Sequence, residues 1–225
     1  MKKLIFVFLL AFAGQIAAQN PNYDEVADRI VNQSLQVIEG EHVLIGGNPD
    51  VQEIMEALYV AVYKAGGLPV LSINLPAADV RVSKEVKPEY IAQPNFAYAA
   101  LDRMVDCIVW VDTDTDPDRW KHISPEVRKA YQQSGEASGK LTKHNRQRVV
   151  TLGQTDGIPS PQVAKVFGAD HRQMTQNFWK AVAADHDELK ARADKVLAKL
   201  SPGAQVKVTS AQGTNITFRL HTGAP

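Results

Sequence analysis

The alternation of apolar and polar stretches predicts strands and helices in turn along most of the chain. Short apolar runs at 42–46, 69–75, 107–111 and 149–152 are typical of buried strands. Between the first two, Ile54, Leu58 and Val62 recur at helical spacing. Strand, helix and strand within about 35 residues form a βαβ unit, whose crossover favours a parallel sheet.

Local signals place the helix boundaries. Helices are predicted at 23–37, 96–103, 125–137, 171–183 and 187–200, the first ended by Gly40. Asp50 is expected to cap the helix of the βαβ unit, because Glu53 stands at the capping-box spacing. Ser124 and Ser160 each precede a proline, a typical helix start. The polar, basic stretch 138–148 is predicted to be an exposed loop.

The chain changes character near its C-terminus. Val206 and Val208 alternate with polar residues, a turn follows at Gly213, and Ile216 and Phe218 alternate again. This pattern predicts a β-hairpin. The predicted fold class is therefore α/β: a mostly parallel, Rossmann-like sheet flanked by helices, with a C-terminal β-hairpin.

Residues 1–19 have the three parts of a secretory signal peptide. Lys2 and Lys3 precede an apolar run over 4–13, and small residues follow at Ala17 and Ala18. The run of about ten residues is too short to anchor the chain in a bilayer. We therefore predict an exported protein, periplasmic or secreted and without a membrane anchor, whose residues 20–225 form one α/β domain.

Composition excludes some classes of partner and of covalent chemistry. Lysine and arginine together equal aspartate and glutamate at 25 each, so removal of Lys2 and Lys3 leaves a charge of −2. No basic excess is present to attract nucleic acid. Cys107 is the single cysteine, which rules out an internal disulfide. Its apolar neighbours predict a buried core thiol and disfavour a nucleophile.

Two loops are candidates for ligand binding. The turn Gly46 to Asp50 follows the first strand, where a dinucleotide would bind in a Rossmann domain, but the third glycine of that motif is missing. Helix capping is the favoured interpretation of Asp50. The second loop alternates four aspartates and lacks the glycine and glutamate of an EF-hand. We interpret it as a solvated acidic loop, with calcium binding as the alternative. Its aspartates are Asp112, Asp114, Asp116 and Asp118.

No motif supplies a complete catalytic or metal site. The six histidines, at 42, 122, 144, 171, 186 and 221, form no zinc-binding spacing. Asp185 is expected to cap a helix beside an exposed His186, and no serine lies in a nucleophile elbow. We therefore assign no catalytic, cofactor-binding or metal-binding residue within this chain.

Three stretches resemble the N-terminal half of the thermophilic-type metallo-aminopeptidases, the group that includes aminopeptidase T and related leucyl aminopeptidases. They are residues 27–67, residues 123–130, and the last helix and hairpin over 185–218. The hairpin is similar to the family's Gly-Thr-Asp-Leu-Thr sequence, although Asn215 stands where that pattern has aspartate.

The resemblance implies a peptide hydrolase that removes N-terminal residues with two divalent metal ions of the zinc, cobalt or manganese type. It also implies a homodimer. The family's metal ligands follow this hairpin, so the resemblance implies that they lie beyond Pro225, in a C-terminal domain that binds the peptide. The chain alone is then expected to be inactive. Since fold does not determine function, the alternative is a non-catalytic periplasmic binding or interaction domain.

Overall fold

The computed structural model describes residues 21–142, 147–153 and 157–221. The predicted signal peptide and His144 lie outside these ranges. The chain divides into two compact units, one ending at Trp179 and one beginning at Lys180. Within the described ranges, no helix has the length and apolar character needed to cross a bilayer.

The described part of the first unit forms a sheet of four strands, and all of them are parallel. They are β1 (His42–Gly47), β2 (Leu68–Ile73), β3 (Cys107–Val111) and β4 (Arg148–Leu152), arranged in the order β2-β1-β3-β4. Val43 pairs with Cys107, and Cys107 pairs with Arg148. The predicted α/β class and the parallel sheet are confirmed, and all four strands lie within two residues of their predicted bounds.

Helices lie before, between and after these strands. Between strands lie α2 (Gln52–Lys64), α3 (Pro76–Glu85), α4 (Pro88–Ile91), α5 (Phe96–Met104) and α6 (Pro125–Thr142). Before β1 lies α1 (Tyr23–Arg29), and after β4 lie α7 (Pro161–Val166) and α8 (His171–Val182), the last of which spans the boundary between the two units. Short 3₁₀ turns lie at Pro49–Val51 and Arg119–His122. Helices α3 and α4 were not predicted, although each begins with a proline, a favourable first residue.

Apolar side chains are buried on both faces of the sheet. Ile54, Leu58 and Val62 of α2 are buried beside the strands β1 and β2. A second cluster joins Leu44 and Ile108 with the partly buried Val70 and Trp110. The core therefore holds the central strands in place between two layers of helices, and the carboxyl ends of those strands meet at one edge.

Helix α1 is shorter than predicted. Its regular α-helix ends at Arg29, and a wide π-helical turn occupies Ile30–Ser34. The backbone amide of Leu35 donates to the carbonyl of Ile30 over 2.8 Å, a spacing of five residues. The wider turn buries Ile30 and Leu35 together, and Gln36 then reverses the chain with a φ of 52°. Gly40 therefore does not end the helix.

Helix α6 is longer than predicted, so the expected loop over 138–148 is wrong in its first part. The helix continues to Thr142, and residues 143–146 lie outside the described ranges. The helix includes Gly135 and Gly139, and each glycine inside a helix costs only about 1 kcal/mol. The side chain of Gln132 donates to Glu136 over 2.8 Å, a contact one helical turn long.

The second unit contains α9 (His186–Leu197) and an antiparallel hairpin of β5 (Gln205–Thr209) and β6 (Asn215–Arg219). The predicted hairpin is confirmed. Val206 lies opposite Phe218 and Val208 opposite Ile216, so one face of the hairpin is apolar. Asp185 caps α9 as predicted, because its side chain accepts from the amide of Glu188 over 2.8 Å.

Candidate ligand-binding crevice at the carboxyl edge of the sheet

The strand order reverses between β1 and β3. The chain passes from β1 to β2 on one side, and β3 then pairs with β1 on the other side. In open α/β sheets, ligands bind outside the carboxyl ends of the strands at this kind of switch point. The turns that follow Gly47 and Val111 are therefore the first place to look for a site.

Asn48 is the central polar residue of this edge. It is only 1% exposed, and its Nδ2 donates to the carbonyl oxygen of Thr113 over 2.7 Å. A carbonyl oxygen only accepts hydrogen bonds, so this contact fixes which end of the amide faces β3. The other end, Oδ1, is buried and meets no donor among the described residues. A buried acceptor without a donor costs about 1–3 kcal/mol.

Gly47 allows the strands and α2 to approach at this point. A Cβ atom on Gly47 would lie 2.4 Å from the carbonyl oxygen of Val111 and 2.7 Å from the sulfur of Met55. Both distances are shorter than real Cβ contacts. The glycine therefore serves close packing of β1, β3 and α2, which brings Asn48 next to Thr113.

The predicted capping role of Asp50 is wrong. Pro49–Val51 forms a 3₁₀ turn, and α2 begins after it at Gln52 with no side-chain capping bond. Asp50 lies inside the turn. Asn48 precedes the turn with extended backbone, but its side chain bonds Thr113 instead of the helix end. The sequence signal did mark a helix start, but the turn that begins at Pro49 moves the N-cap by one residue, from Asp50 to Val51.

Three of the four aspartates of the acidic loop make separate side-chain contacts, and the backbone amide of Asp116 donates to Asp114 over 3.0 Å. Asp112 accepts from the amide of Asn74 over 3.4 Å, and Asp114 pairs with Arg119 at 2.6 Å. Asp118 pairs with Lys121 at 2.6 Å. Nowhere in the described ranges do three or more histidine, cysteine, aspartate or glutamate side chains form a group able to hold a metal ion.

The carboxyl of Asp112 is partly withdrawn from water. Burial raises its pKa, while the hydrogen bond from Asn74 and the positive charge of Arg119 oppose that shift. The backbone amide of Asn48 also lowers the pKa through a hydrogen bond. Asp112 therefore links the turns after β1, β2 and β3 into one polar layer.

The segment after β4 is tied to the acidic loop. Thr113 bridges to Gly157, and its hydroxyl donates to the carbonyl of Ile158 over 2.7 Å. Ser160 caps α7 as predicted, accepting from Val163, and its hydroxyl donates to the carbonyl of Asp114. These contacts join the loops that follow β3 and β4, which together line the β3 side of this edge.

Two cavities flank the start of α2. The first, of about 700 Å³, is lined by polar and apolar groups in similar measure and lies between the 3₁₀ turn, Thr113, Ser160, Tyr23 and His171. The Nε2 atom of His171 is 3.0 Å from the carbonyl oxygen of Pro159. Burial and the charge of Glu53 raise the pKa of Tyr23. This cavity presents carboxylates from α2 beside hydroxyl groups of the opposite wall.

The second cavity, of about 630 Å³, is largely apolar and lies between α2 and β2. Asn48, Met55, Tyr59, Leu71 and Ile73 line it. Both cavities include Pro49, Gln52 and Glu56, so they meet along the start of α2. Their volumes fall within the range of about 300–1,000 Å³ that small-molecule sites occupy.

Two further residues singled out from the sequence, Cys107 and His42, lie away from this edge. Cys107 is fully buried in β3, as predicted. His42 begins β1 at the opposite edge of the sheet, with Nδ1 4.0 Å from a carboxylate oxygen of Asp106. Sequence reasoning missed Asn48. Its signal was a polar residue placed directly after a buried strand and before a proline.

Comparison with known proteins supports the fold. No protein-family model matches the chain, and no curated protein matches its sequence. A solved structure, titled "Wild-type AmpT from Thermus thermophilus", has the same fold with a TM-score of 0.61 and 14% sequence identity. The likeness covers 86% of this chain and 58% of that one, so the chain spans a little over half the length of AmpT.

Proposed function

We propose that this chain is the α/β domain of an exported, metal-dependent aminopeptidase that removes N-terminal residues from peptides. The observation that carries the proposal is the shared fold with AmpT over 86% of the chain. The name AmpT agrees with the aminopeptidase T group that the sequence resembles. The order of the three similar stretches supports the same assignment.

The described residues do not fit the pair of metal ions that this activity uses. The geometric reason is the dispersal of the acidic side chains: Asp114 and Asp118 each bond a cation of their own. No step of hydrolysis is therefore assigned to this chain. Under the proposal, the metal ligands and the peptide site lie in sequence that follows Pro225, and this domain packs beside them.

A paired assay tests the proposal. The complete open reading frame and the 225-residue chain are each purified and incubated with leucine p-nitroanilide and cobalt, zinc or manganese. We expect the longer protein to release p-nitroaniline, to lose that activity with EDTA, and to regain it with added metal. The 225-residue chain is expected to release none. A stop codon directly after Pro225, or an inactive longer protein, contradicts the proposal.

Export is tested separately. The predicted cleavage near Gln19 gives a mature protein that begins close to Asn20. We expect N-terminal sequencing of protein from a periplasmic or secreted fraction to find that start. Recovery of the uncleaved chain in the cytoplasm contradicts export and leaves the peptidase assignment intact.

A second candidate function is that of a non-catalytic binding domain, and the crevice favours it. Two cavities of small-molecule size meet along the start of α2, beside the switch point. This function predicts a stable 225-residue protein that binds a small ligand without hydrolysing peptides. Leucine release by the isolated chain would contradict it.

A further inference from the structure

Strand β2 lies at an edge of the sheet, and none of the described strands pairs with its outer side. The amides of Leu68 and Asn74 donate to backbone carbonyls on the β1 side over 2.8 Å each. Backbone groups alternate in direction along a strand, so the N–H and C=O groups of Leu71 and Ile73 point away from β1. An open edge of this kind is a template for pairing with a further strand.

The open edge carries an apolar surface that continues onto α2. Leu71 and Ile73 are 49% and 52% exposed and line the groove between β2 and α2. Val60 lines the same groove, and the rings of Tyr59 and Tyr63 pack edge to face with centroids 5.2 Å apart. Val60 and Tyr63 are 48% and 54% exposed. These five residues form one apolar patch at the edge, a feature that marks interaction sites.

Helix α5 flanks the same edge on the other face of the sheet. The side chain of Tyr98 forms a hydrogen bond with Ser72 of β2. Leu101 of α5 and Val70 of β2 pack against one buried cluster. A strand added beside β2 would therefore meet a helix layer on each face of the sheet.

The spacing of these layers fits a second copy of the chain related by a two-fold axis. Antiparallel pairing of two β2 strands joins the outward donors and acceptors of both copies, because each copy presents the same edge. Helix α2 contacts both β1 and β2, so it lies about one strand spacing from that axis. A strand spacing of about 4.8 Å places the two α2 helices about 10 Å apart, the upper end of the range for packed helices.

The size of the contact is also sufficient for a specific dimer. Six residues of β2 give an edge about 20 Å long. The sheet with one helix layer on each face is about 30 Å thick. Each copy therefore offers about 600 Å², the lower end of the range for specific interfaces, so we expect a reversible dimer with a dissociation constant of micromolar order.

We propose that two copies of this chain associate through their β2 edges, in antiparallel order, to form one continuous eight-stranded sheet. Leu71 and Ile73 of both copies then lie on one face, beneath two α2 helices that pack against each other. The interface does not depend on the proposed peptidase activity, since every group in it belongs to β2, α2 or α5.

Sedimentation of the 225-residue chain over a concentration series tests the proposal. We expect a dimer at high micromolar concentration that dissociates on dilution. Leu71→Lys places a charge on the shared face of both copies and should weaken the dimer about tenfold or more. Val149→Lys is the matched control, because Val149 is 53% exposed on the other edge strand, β4, and should change nothing. A chain that stays monomeric, or an equal effect of both variants, overturns the proposal.

Proline variants test the backbone pairing itself. Leu71→Pro removes an outward N–H and no bond to β1, as Pro69 already does two residues earlier. Val149→Pro makes the same change at β4, where the amide of Arg148 donates inward to Asp106 over 3.2 Å. We expect both variants to keep the circular dichroism spectrum of the parent, and only Leu71→Pro to lose the dimer. A folded Leu71→Pro with parental affinity contradicts strand pairing.

Hydrogen exchange locates the interface without any substitution. The outward amides of Leu71 and Ile73 become hydrogen-bonded only in the dimer, so their exchange should slow about tenfold or more as the protein concentration rises. The outward amide of Val149 should exchange at the same rate throughout. A dimer that protects amides of the β5–β6 hairpin and leaves those of Leu71 and Ile73 unprotected overturns the proposal.

Discussion

The side-chain nitrogen of Asn48 donates to the carbonyl oxygen of Thr113 over 2.7 Å, linking the carboxyl ends of β1 and β3. Asn48→Asp replaces this donor with a carboxylate facing a carbonyl. We expect a loss of about 2–3 kcal/mol in the free energy of unfolding at neutral pH. Protonation of the introduced carboxyl restores a donor, so the loss should shrink as the pH falls through its raised pKa.

Urea unfolding of the variant and the parent chain at about pH 5 and about pH 8 measures this difference. Asn95→Asp is the matched control. Asn95 caps α5 by accepting from Tyr98 over 3.0 Å, and aspartate caps a helix equally well. A loss for Asn48→Asp that is constant with pH contradicts the account of the Thr113 contact.

Gly46 lies directly against the ring of Trp110, its partner in the β1–β3 register. A Cβ atom on Gly46 would lie 2.0 Å from the ring. Gly46→Ala should therefore destabilise the protein by about 1–3 kcal/mol through overpacking. Thermal unfolding measures the loss. In a double variant that also carries Trp110→Ala, the loss of stability should be smaller than the sum of the two single losses.

The control for this prediction is Gly135→Ala in α6, where a Cβ atom meets nothing within 4 Å. That substitution should stabilise the helix by up to about 1 kcal/mol. If both alanine variants change stability in the same direction and by the same amount, the ring contact at Gly46 is not the cause.

Much of the fold could be predicted because its signals are local. The strand at Cys107 is a run of apolar residues, and the helix start at Ser160 is a cap followed by proline, so each is visible within a few residues. The wide turn after α1 and the last turns of α6 were not predicted. The wide turn buries Ile30, a tertiary contact that local sequence patterns do not show. The last turns of α6 lie in a polar, basic stretch, which resembles a loop in composition.

The sequence predicted where the crevice lies but not its contacts, because those contacts join residues that are far apart in the chain. The switch point after β1 follows from the order of strands, and the turn from Gly46 to Asp50 was singled out. Asn48 bonds a residue 65 positions later, and no pattern near Asn48 indicates that partner. The pairing of Asp114 with Arg119 and of Asp118 with Lys121 was likewise not predicted, because it depends on the folded path of the loop.

Arg148 pairs with Glu41 across the amino-terminal edge of the sheet. The hydrogen bond from Arg148 holds the pKa of Glu41 below its usual value, and the backbone amide of Ile38 adds to this. A lowered carboxylate pKa contributes stability above the unfolded pKa of about 4.3, and this contribution is lost as the pH falls through the folded pKa. Arg148→Met should therefore cost more stability at neutral pH than in acid.

The expected loss at neutral pH is about 1 kcal/mol, because Arg148 is 44% exposed and water screens the pair. Chemical unfolding at about pH 7 and about pH 3 measures it. Arg81→Met removes an exposed pair with Glu85 on one helix and should cost less. Equal losses at the two pH values would show that Arg148 acts through packing alone.

Cys107 is fully buried in β3, with its sulfur 3.0 Å from Nη2 of Arg148. Burial raises the pKa of the thiol, and the hydrogen bond and charge of Arg148 offset only part of that shift. The thiol therefore stays protonated and shielded at neutral pH, where thiolate is the reactive form.

We expect the native protein to react with Ellman's reagent only as fast as it unfolds, and the urea-unfolded chain to react at once. In Arg148→Met, the labelling rate of native Cys107 should still be limited by opening of the sheet. It should rise only in proportion to the stability that the substitution removes. Rapid labelling of the native protein that falls sharply in Arg148→Met would instead reveal an accessible thiolate held by the guanidinium.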